Sequence, residues 1–345
     1  MNAGRGRVLV AMSGGVDSSV AAALLVEQGL DVTGVTMKLW GGRSDSGCCS
    51  VDDVEDARRV AAQLDIPHYV FNFAEDFERA VVAPYVADRA GGRTPNPCVE
   101  CNRAMKWGRL LDRAEVLGFA AVATGHHARV RCAGRRHELL RGADAAKDQS
   151  YVLYMLGQRE LARTRLPIGA LTKAEVRAHA ARLGLRTATK MESMDVCFIT
   201  RGGREEFLAA RGSSRPGELR AIDGAVLGRH AGVCSFTIGQ RRGLGVALGE
   251  RRFVVDIDAT SATVTIGRRE DLLCDRIELT DLSFVDARPD PGRVLDVQTR
   301  AHGATVPGRL VGDRVELVEP SPRVAPGQVV AWYDGDRLLG GGIAA

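Results

Sequence analysis

Arg7-Val-Leu-Val-Ala-Met12, Ser13-Gly-Gly-Val-Asp-Ser-Ser19 and Val20-Ala-Ala-Ala-Leu-Leu-Val26 follow one another without a break. The first run is continuously apolar and of strand length. The third is a helix former's sequence that stops at Gly29. A polar, glycine-bearing segment therefore sits between a buried strand and a helix. An α/β sheet places a phosphate at such a junction, because backbone N–H groups and the positive end of the helix dipole point at it. Gly14 and Gly15 let backbone approach an anion with no Cβ in the way. Ser13, Ser18 and Ser19 add hydroxyl donors. Asp17 is the odd member: a carboxylate beside a phosphate repels it unless a cation lies between, and magnesium would resolve the conflict. A Walker A loop is excluded, since that ends in Gly-Lys-Ser/Thr and no lysine precedes Lys38.

Outward from this stretch, Asp31 to Lys38 reads as a second strand and residues 39–50 as a Gly/Ser/Cys loop. Val51 to Leu64 has apolar or Ala positions at helical spacing, and His68 to Phe73 alternates as a third strand. Phe77 to Ala90 and Met105 to Leu117 read as helices, flanking the irregular Gly91-Gly-Arg-Thr-Pro-Asn-Pro97. Phe119 to Thr124 is a strand leading into Gly125-His126-His127. Alternating β and α with short links predicts a doubly wound parallel sheet, with ligands at the carboxyl ends of its strands. Residues 134–149 read as a polar, basic connection, and Tyr151 to Leu156 as helix. Thr172 with Glu175 forms a capping box that opens a helix running to Gly184.

Beyond about residue 205 the segments become short and β-rich. Residues 252–257 and 262–266 read as a hairpin. Strands are expected at 276–279, 293–300, 304–310, 313–318, 328–333 and 337–343, a spacing that suggests a small β-barrel. The expected division is 1–204, 205–273 and 274–345. A chain of 345 residues is long enough for such an arrangement.

No apolar run approaches the ~20 residues that span a bilayer, so a cytoplasmic protein without a membrane partner is expected. Net charge is only +4, yet ten Arg against five Asp or Glu fall between Arg201 and Arg252. Guanidinium groups there suit phosphate contacts. Cysteines stand at 48, 49, 98, 101, 132, 197, 234 and 274. In a reducing compartment their clusters point to catalysis or metal rather than to a structural disulfide framework. Cys98-Val-Glu-Cys101 and Cys48-Cys49 leave three readings open: ligands of zinc or an iron–sulfur cluster, a redox pair, or one cysteine acting with the distant Cys197. Cys132, Cys234 and Cys274 read as small core residues.

Ser13-Gly-Gly-Val-Asp-Ser18 is similar to the PP-loop of the ATP pyrophosphatase superfamily. Those enzymes cut ATP between the α- and β-phosphates and adenylate a substrate oxygen. Gly92-Arg-Thr-Pro-Asn-Pro-Cys98, Cys101-Asn102, Thr124-Gly-His126, Lys147-Asp-Gln-Ser150, Asp195-Val-Cys-Phe-Ile199, Phe236-Thr-Ile-Gly-Gln-Arg-Arg-Gly-Leu-Gly245 and Pro326-Gly-Gln328 occur in order along the chain. Together with the PP-loop they resemble the bacterial tRNA-specific 2-thiouridylase family over essentially the whole length.

The resemblance implies ATP-dependent adenylation of the 2-carbonyl oxygen of the wobble uridine, followed by replacement of that oxygen by sulfur. It implies Cys197 as the persulfide carrier and Cys101 as the second thiol, the nucleophile, with a Cys101–Cys197 disulfide as the end point. It implies ATP contacts at Ala11, Met12, Ser13, Gly14, Gly15, Val16, Asp17, Ser18, Met37 and Gly125. tRNA, through its anticodon region, would meet Asn96, Pro97, Cys98, His126, Lys147, Asp148, Gln149, Arg300, Ala301 and Gln328. Some family members carry Asp at the position of Cys98, which leaves Cys98 as a bystander or cluster ligand. Ala301 stands where an aromatic residue is more usual. A sulfur-donor protein is the further implied partner. The alternatives are an iron–sulfur-dependent thiolation enzyme with Cys98, Cys101 and Cys197 as ligands, a PP-loop enzyme adenylating a small molecule, and a non-catalytic tRNA-binding protein.

Overall fold

The computed structural model describes residues 6–40, 51–191, 196–199, 203–212, 215–246, 249–301 and 303–345. Cys48, Cys49 and Asp195 lie outside the described residues. Through residue 165 the strands are β1 (Val8–Ala11), β2 (Val32–Lys38), β3 (His68–Asn72), β4 (Ala121–Ala123), β5 (Ala128–Ala133), β6 (Arg136–Arg141) and β7 (Thr164–Arg165). Five of these form a parallel sheet in the order β3-β2-β1-β4-β7.

The continuous apolar run of β1 is explained by helices on both faces, since a parallel strand covered on both sides has no solvent face. Val8, Val10 and Met12 pack with the helices Val16–Glu27, Val51–Gln63 and Lys173–Arg182. Leu9 and Ala11 point the other way, into a core shared with Phe77, Tyr85, Met105 and Trp107 from the helical stretches 74–90 and 97–116. The capping box is present: Thr172 Oγ1 accepts from Glu175 N at 3.3 Å and Thr172 N donates to Glu175 Oε2 at 2.7 Å.

The middle of the chain forms a four-stranded sheet of β8 (Gly217–Ala221), β9 (Val226–His230), β10 (Phe253–Asp258) and β11 (Thr263–Gly267), ordered β10-β11-β8-β9. The expected hairpin is the β10–β11 pair. The remaining strands are β12 (Leu273–Phe284), β13 (Leu295–Gln298), β14 (Val306–Val311), β15 (Arg314–Pro322), β16 (Val329–Asp334) and β17 (Arg337–Ala344). They run in the order β12-β15-β14-β13-β16-β17, and β12 pairs again with β17, which closes a six-stranded barrel. Closure leaves no open sheet edge.

Two segments differ from the sequence reading. The connection expected over 134–149 begins with the hairpin β5–β6, and β6 joins the barrel by pairing with β17 (Leu140 with Arg337, Leu139 with Leu338). Leu139 and Leu140 are buried there. The helix expected over 151–156 is a single 3₁₀ turn, Ser150–Leu153. It is held by the barrel instead: the Tyr151 hydroxyl donates to Val329 O at 2.5 Å and Ser150 Oγ lies 3.0 Å from Tyr333 Oη. Among the described residues, no helix is long and apolar enough to cross a membrane.

The three sheets meet at Thr94. Its N–H donates to Pro326 O (2.6 Å), its carbonyl accepts from Gln328 Nε2, and its hydroxyl lies 3.2 Å from Thr237 Oγ1. Arg89, almost wholly buried, donates to Thr94 Oγ1 (3.1 Å), Thr237 Oγ1 (3.3 Å) and the carbonyl of Cys234. Arg89→Met removes all three donations, leaving the two threonine hydroxyls only each other, and is expected to cost about 3 kcal/mol. Urea denaturation of the full chain measures it, and a loss too small to detect would refute the junction's structural weight.

Candidate active site

β1 has β2 on one side and β4 on the other, and the chain leaves these neighbours in opposite directions. The strand order reverses there and opens a crevice at the carboxyl ends. The crevice holds a cavity of about 370 Å³. Ala11, Met12, Ser13, Gly15, Val16, Asp17, Ser18, Met37 and Gly125 line one side of it, and Pro97, Cys98, Cys101 and Cys197 also line it.

The glycine loop is built as its sequence requires. Gly14 has φ +72°, and a Cβ there would lie 2.2 Å from Asp53 O, so only glycine fits. Gly15 is the N-cap of the helix Val16–Glu27, and no side chain caps that end. Its first-turn N–H groups are therefore presented without a side-chain acceptor, the arrangement that favours an anion. Two of the expected hydroxyl donors are used differently. Ser18 Oγ accepts from Ser13 N (3.2 Å) and lies in reach of Gly15 O (3.1 Å), while Ser19 Oγ donates to Gly15 O (2.8 Å). They hold the loop's curvature. Gly125 abuts the same helix start: a Cβ there would be 2.6 Å from Ser18 N.

Asp17 already has a cation beside it. Lys173 Nζ sits 2.8 and 2.7 Å from its two oxygens, and His127 Nε2 lies 3.3 Å from Oδ1. Burial alone would raise the Asp17 carboxyl, but the hydrogen bonds from His127 and Lys173 and the charge of Lys173 outweigh it and hold it below the usual carboxylate range. The conflict for which the sequence suggested magnesium is thus met in part by a lysine 156 residues away. A depressed folded-state pKa stabilises the fold above the unfolded value of about 4 and stops doing so as pH falls through the folded value. The stability gap between wild type and Lys173→Met should therefore stay constant from neutral pH to about pH 5 and shrink below about pH 4. A urea titration series across that range checks it; a gap that widens in acid would refute the pairing.

On the thiol side, Asn96 Oδ1 accepts from Cys98 N at 3.1 Å and Pro97 occupies the first helical position, which together start the helix. Cys98 is exposed and Cys101 half-buried. From Cys101 to Leu110 the backbone takes the wide i→i+5 hydrogen-bond pattern, a form frequent at functional sites. Cys197 is half-buried and is followed by Phe198, which is buried among Trp40, Phe77, Tyr85 and Phe207 at ring separations of 6.4, 5.7, 5.4 and 5.4 Å. That aromatic anchor holds the segment that places Cys197 at the cavity. Residues 101 and 197 are not joined by a disulfide. Cys234 is buried as expected, but Cys132 is exposed at the end of β5 and Cys274 half-buried. Among the described residues, no three His, Cys, Asp or Glu side chains are placed to hold a metal ion.

His126 is buried, with Nδ1 2.7 Å from Thr124 Oγ1 and Nε2 3.2 Å from Lys106 Nζ. Burial first, then the charge of Lys106, hold its pKa well below the usual histidine value, so the ring is neutral. Lys147 and Gln149 line the cavity, and Gln149 Oε1 accepts from His127 N at 2.9 Å. Asp148 does not. It is buried, and its carboxylate accepts from Gly142 N (2.9 Å), Ser150 N (3.0 Å), Ser150 Oγ (3.0 Å) and Arg141 Nη1 (3.0 Å). It holds the loop that carries its two neighbours. Arg300, Ala301 and Gln328 lie away from the cavity. Gln298 Nε2 donates to the carbonyls of Arg300 (2.9 Å) and Ala301 (3.0 Å), and Gln328 is bound to Thr94. Lys106, His127 and Lys173 were not legible as site residues; only the capping box beside Lys173 marked its neighbourhood.

Three family models match consecutive parts of the chain: the tRNA methyl transferase HUP domain over residues 6–201, the tRNA methyl transferase PRC-barrel domain over 205–268 and the aminomethyltransferase beta-barrel domain over 274–344. The chain is 45% identical to the tRNA-specific 2-thiouridylase MnmA of Roseiflexus sp. (strain RS-1), over 97% of this chain and 98% of that protein. It is 48% identical to the protein of the same name from Chloroflexus aggregans, over 97% of each. Among solved structures, a 4-thiouridine synthetase–RNA complex with bound ATP aligns at TM-score 0.38 and 18% identity, over 56% of this chain and 45% of that one.

Proposed function

The chain belongs to the tRNA-specific 2-thiouridylase family, and from that membership we propose the route by which this tRNA sulfurtransferase converts the wobble uridine of tRNA to 2-thiouridine. One observation carries the route: the uncapped helix start after β1 and the cysteines 101 and 197 line a single cavity.

ATP lies with its phosphates on the loop Ala11–Ser18, with Met37 and Gly125 beside it. The uridine leaves its stack to enter the cavity. Its O2 attacks the α-phosphorus and pyrophosphate departs, turning a poor leaving group into AMP. A persulfide on Cys197, loaded by a sulfur-donor protein, attacks C2. The C2–O bond breaks and AMP carries off the oxygen with the electron pair. The Cys101 thiolate then attacks Cys197 Sγ, breaking the sulfur–sulfur bond. The products are 2-thiouridine and a Cys101–Cys197 disulfide, which a thiol reductant returns to two thiols.

A bound magnesium ion would supply charge neutralisation at the phosphates. Asp17 would hold it through an oxygen that Lys173 gives up, since Lys173 now bonds both carboxylate oxygens. We assign the chemistry to residues 1–204, and tRNA contact to Pro97, Cys98, His126, Lys147 and Gln149 at the cavity and to Asn96, Arg300, Ala301 and Gln328 outside its lining. Residues 205–273 and the barrel region 274–345 form the rest of the tRNA surface, and the reading places the enzyme in the cytoplasm.

The test is mass spectrometry of tRNA nucleosides after incubation with ATP and a sulfur donor. 2-Thiouridine forming only when ATP is present supports the route. An adenylated small molecule in place of modified tRNA would sink it.

A further inference from the structure

We propose that Lys106 is a catalytic cation for the second half of this reaction, holding the phosphate of AMP as it leaves the uridine; the proposal rests on the adenylation route above.

Lys106 lies in the stretch Cys101–Leu110, where the backbone bonds i to i+5. Residues five apart are then nearly in line along the helix, so Lys106 follows Cys101 on one face. In an ordinary α-helix the same spacing would turn the lysine well off that face. Both side chains line the cavity. The ammonium is also tied to the nucleotide side. Its Nζ is 3.2 Å from Nε2 of the neutral His126, which makes the ring nitrogen the acceptor and leaves Nδ1–H for Thr124 Oγ1. His126 directly follows Gly125, which abuts the start of the glycine-loop helix. Lys106 is therefore positioned between the phosphate cradle and the thiols.

Charge separates its task from that of Lys173. Lys173 is paired with Asp17 on the loop side. Among the described residues no carboxylate pairs with Lys106, whose polar partner is an uncharged ring. A half-buried ammonium held this way awaits an anion. During adenylation the new charge develops on pyrophosphate. During sulfur transfer the C2–O bond breaks and the AMP phosphate gains a full negative charge. A donor aimed at that group is strongest when the charge appears.

The experiment uses the full chain with Cys197 preloaded as persulfide, ATP and substrate tRNA, in a single turnover, comparing wild type, Lys106→Met and Lys106→Arg. Pyrophosphate release in Lys106→Met is expected at the wild-type rate, which also shows that the variant is folded. AMP and 2-thiouridine formation are expected to slow about 100-fold, with adenylated tRNA accumulating to a level visible by mass spectrometry. Arginine should restore part of the rate. Equal loss of both half-reactions in both variants, or loss of neither, overturns the proposal. A wild-type enzyme that releases no tRNA-dependent pyrophosphate would instead overturn the underlying route.

Discussion

Cys197→Ala is expected to remove 2-thiouridine from the products while tRNA-dependent pyrophosphate release continues. The glycine loop, Gly125 and Asp17 are untouched by the change, and Phe198 still anchors the segment in its aromatic pocket. Only the thiol proposed to carry sulfur is lost. Without a nucleophile at that place the rate should fall by more than about 10³-fold. Cys101→Ala should behave differently. The persulfide can still displace AMP, but nothing then attacks Cys197 Sγ, so tRNA stays tethered to Cys197 through a disulfide that a reductant cleaves. A reductant-labile protein–tRNA adduct in Cys101→Ala and none in Cys197→Ala is the discriminating pair of results, read on a non-reducing gel. Full thiolation by Cys197→Ala would end the sulfur-carrier account.

Gly125→Ala should have the second largest effect, and on nucleotide binding. The added methyl would lie 2.6 Å from Ser18 N and 2.7 Å from Asp17 C, both backbone atoms of the helix start. Backbone cannot swing aside as a long side chain does, so the end of β4 and the helix must separate. Strain of about 3 kcal/mol at that contact corresponds to roughly a 100-fold loss of ATP affinity. Gly118→Ala is the control: unlike Gly125 it sits at positive φ (+75°), and nothing lies within 4 Å of its Cβ, so it should lower stability and leave ATP binding alone. Calorimetric titration with ATP separates the two. Equal affinities in wild type and Gly125→Ala would show that the nucleotide does not use this helix start.

The legible parts of the structure are those whose causes lie close together in sequence. Val8–Glu27 declares strand, loop and helix within twenty residues, and Thr172 with Glu175 announces its helix by a hydrogen-bond pattern three residues long. The barrel strands alternate and turn often enough to be located one by one. What stayed hidden depends on distant partners. Residues 136–141 are polar apart from Leu139 and Leu140; they pair along their length with β5, and residues 337 and 338 join that hairpin to the barrel. Lys173 reads as an ordinary helix-start lysine until Asp17 is brought against it. The five-residue step from Cys101 to Lys106 carries no meaning under α-helical geometry and acquires one only through the wider turn. Asp148 sits inside a motif whose resemblance implies tRNA contact, yet burial commits its oxygens to the loop itself.

The splice of residues 128–141 onto the last strand bears on how the protein is made. A ribosome delivers this hairpin some two hundred residues before the strand that completes it, so Leu139 and Leu140 wait beside an open backbone edge while the middle of the chain emerges. The amino-terminal region reaches its final form only once residues 337 and 338 have emerged. A message cut short anywhere before codon 337 yields a product with an unsatisfied seam, suited to capture by chaperones or to degradation rather than to partial activity.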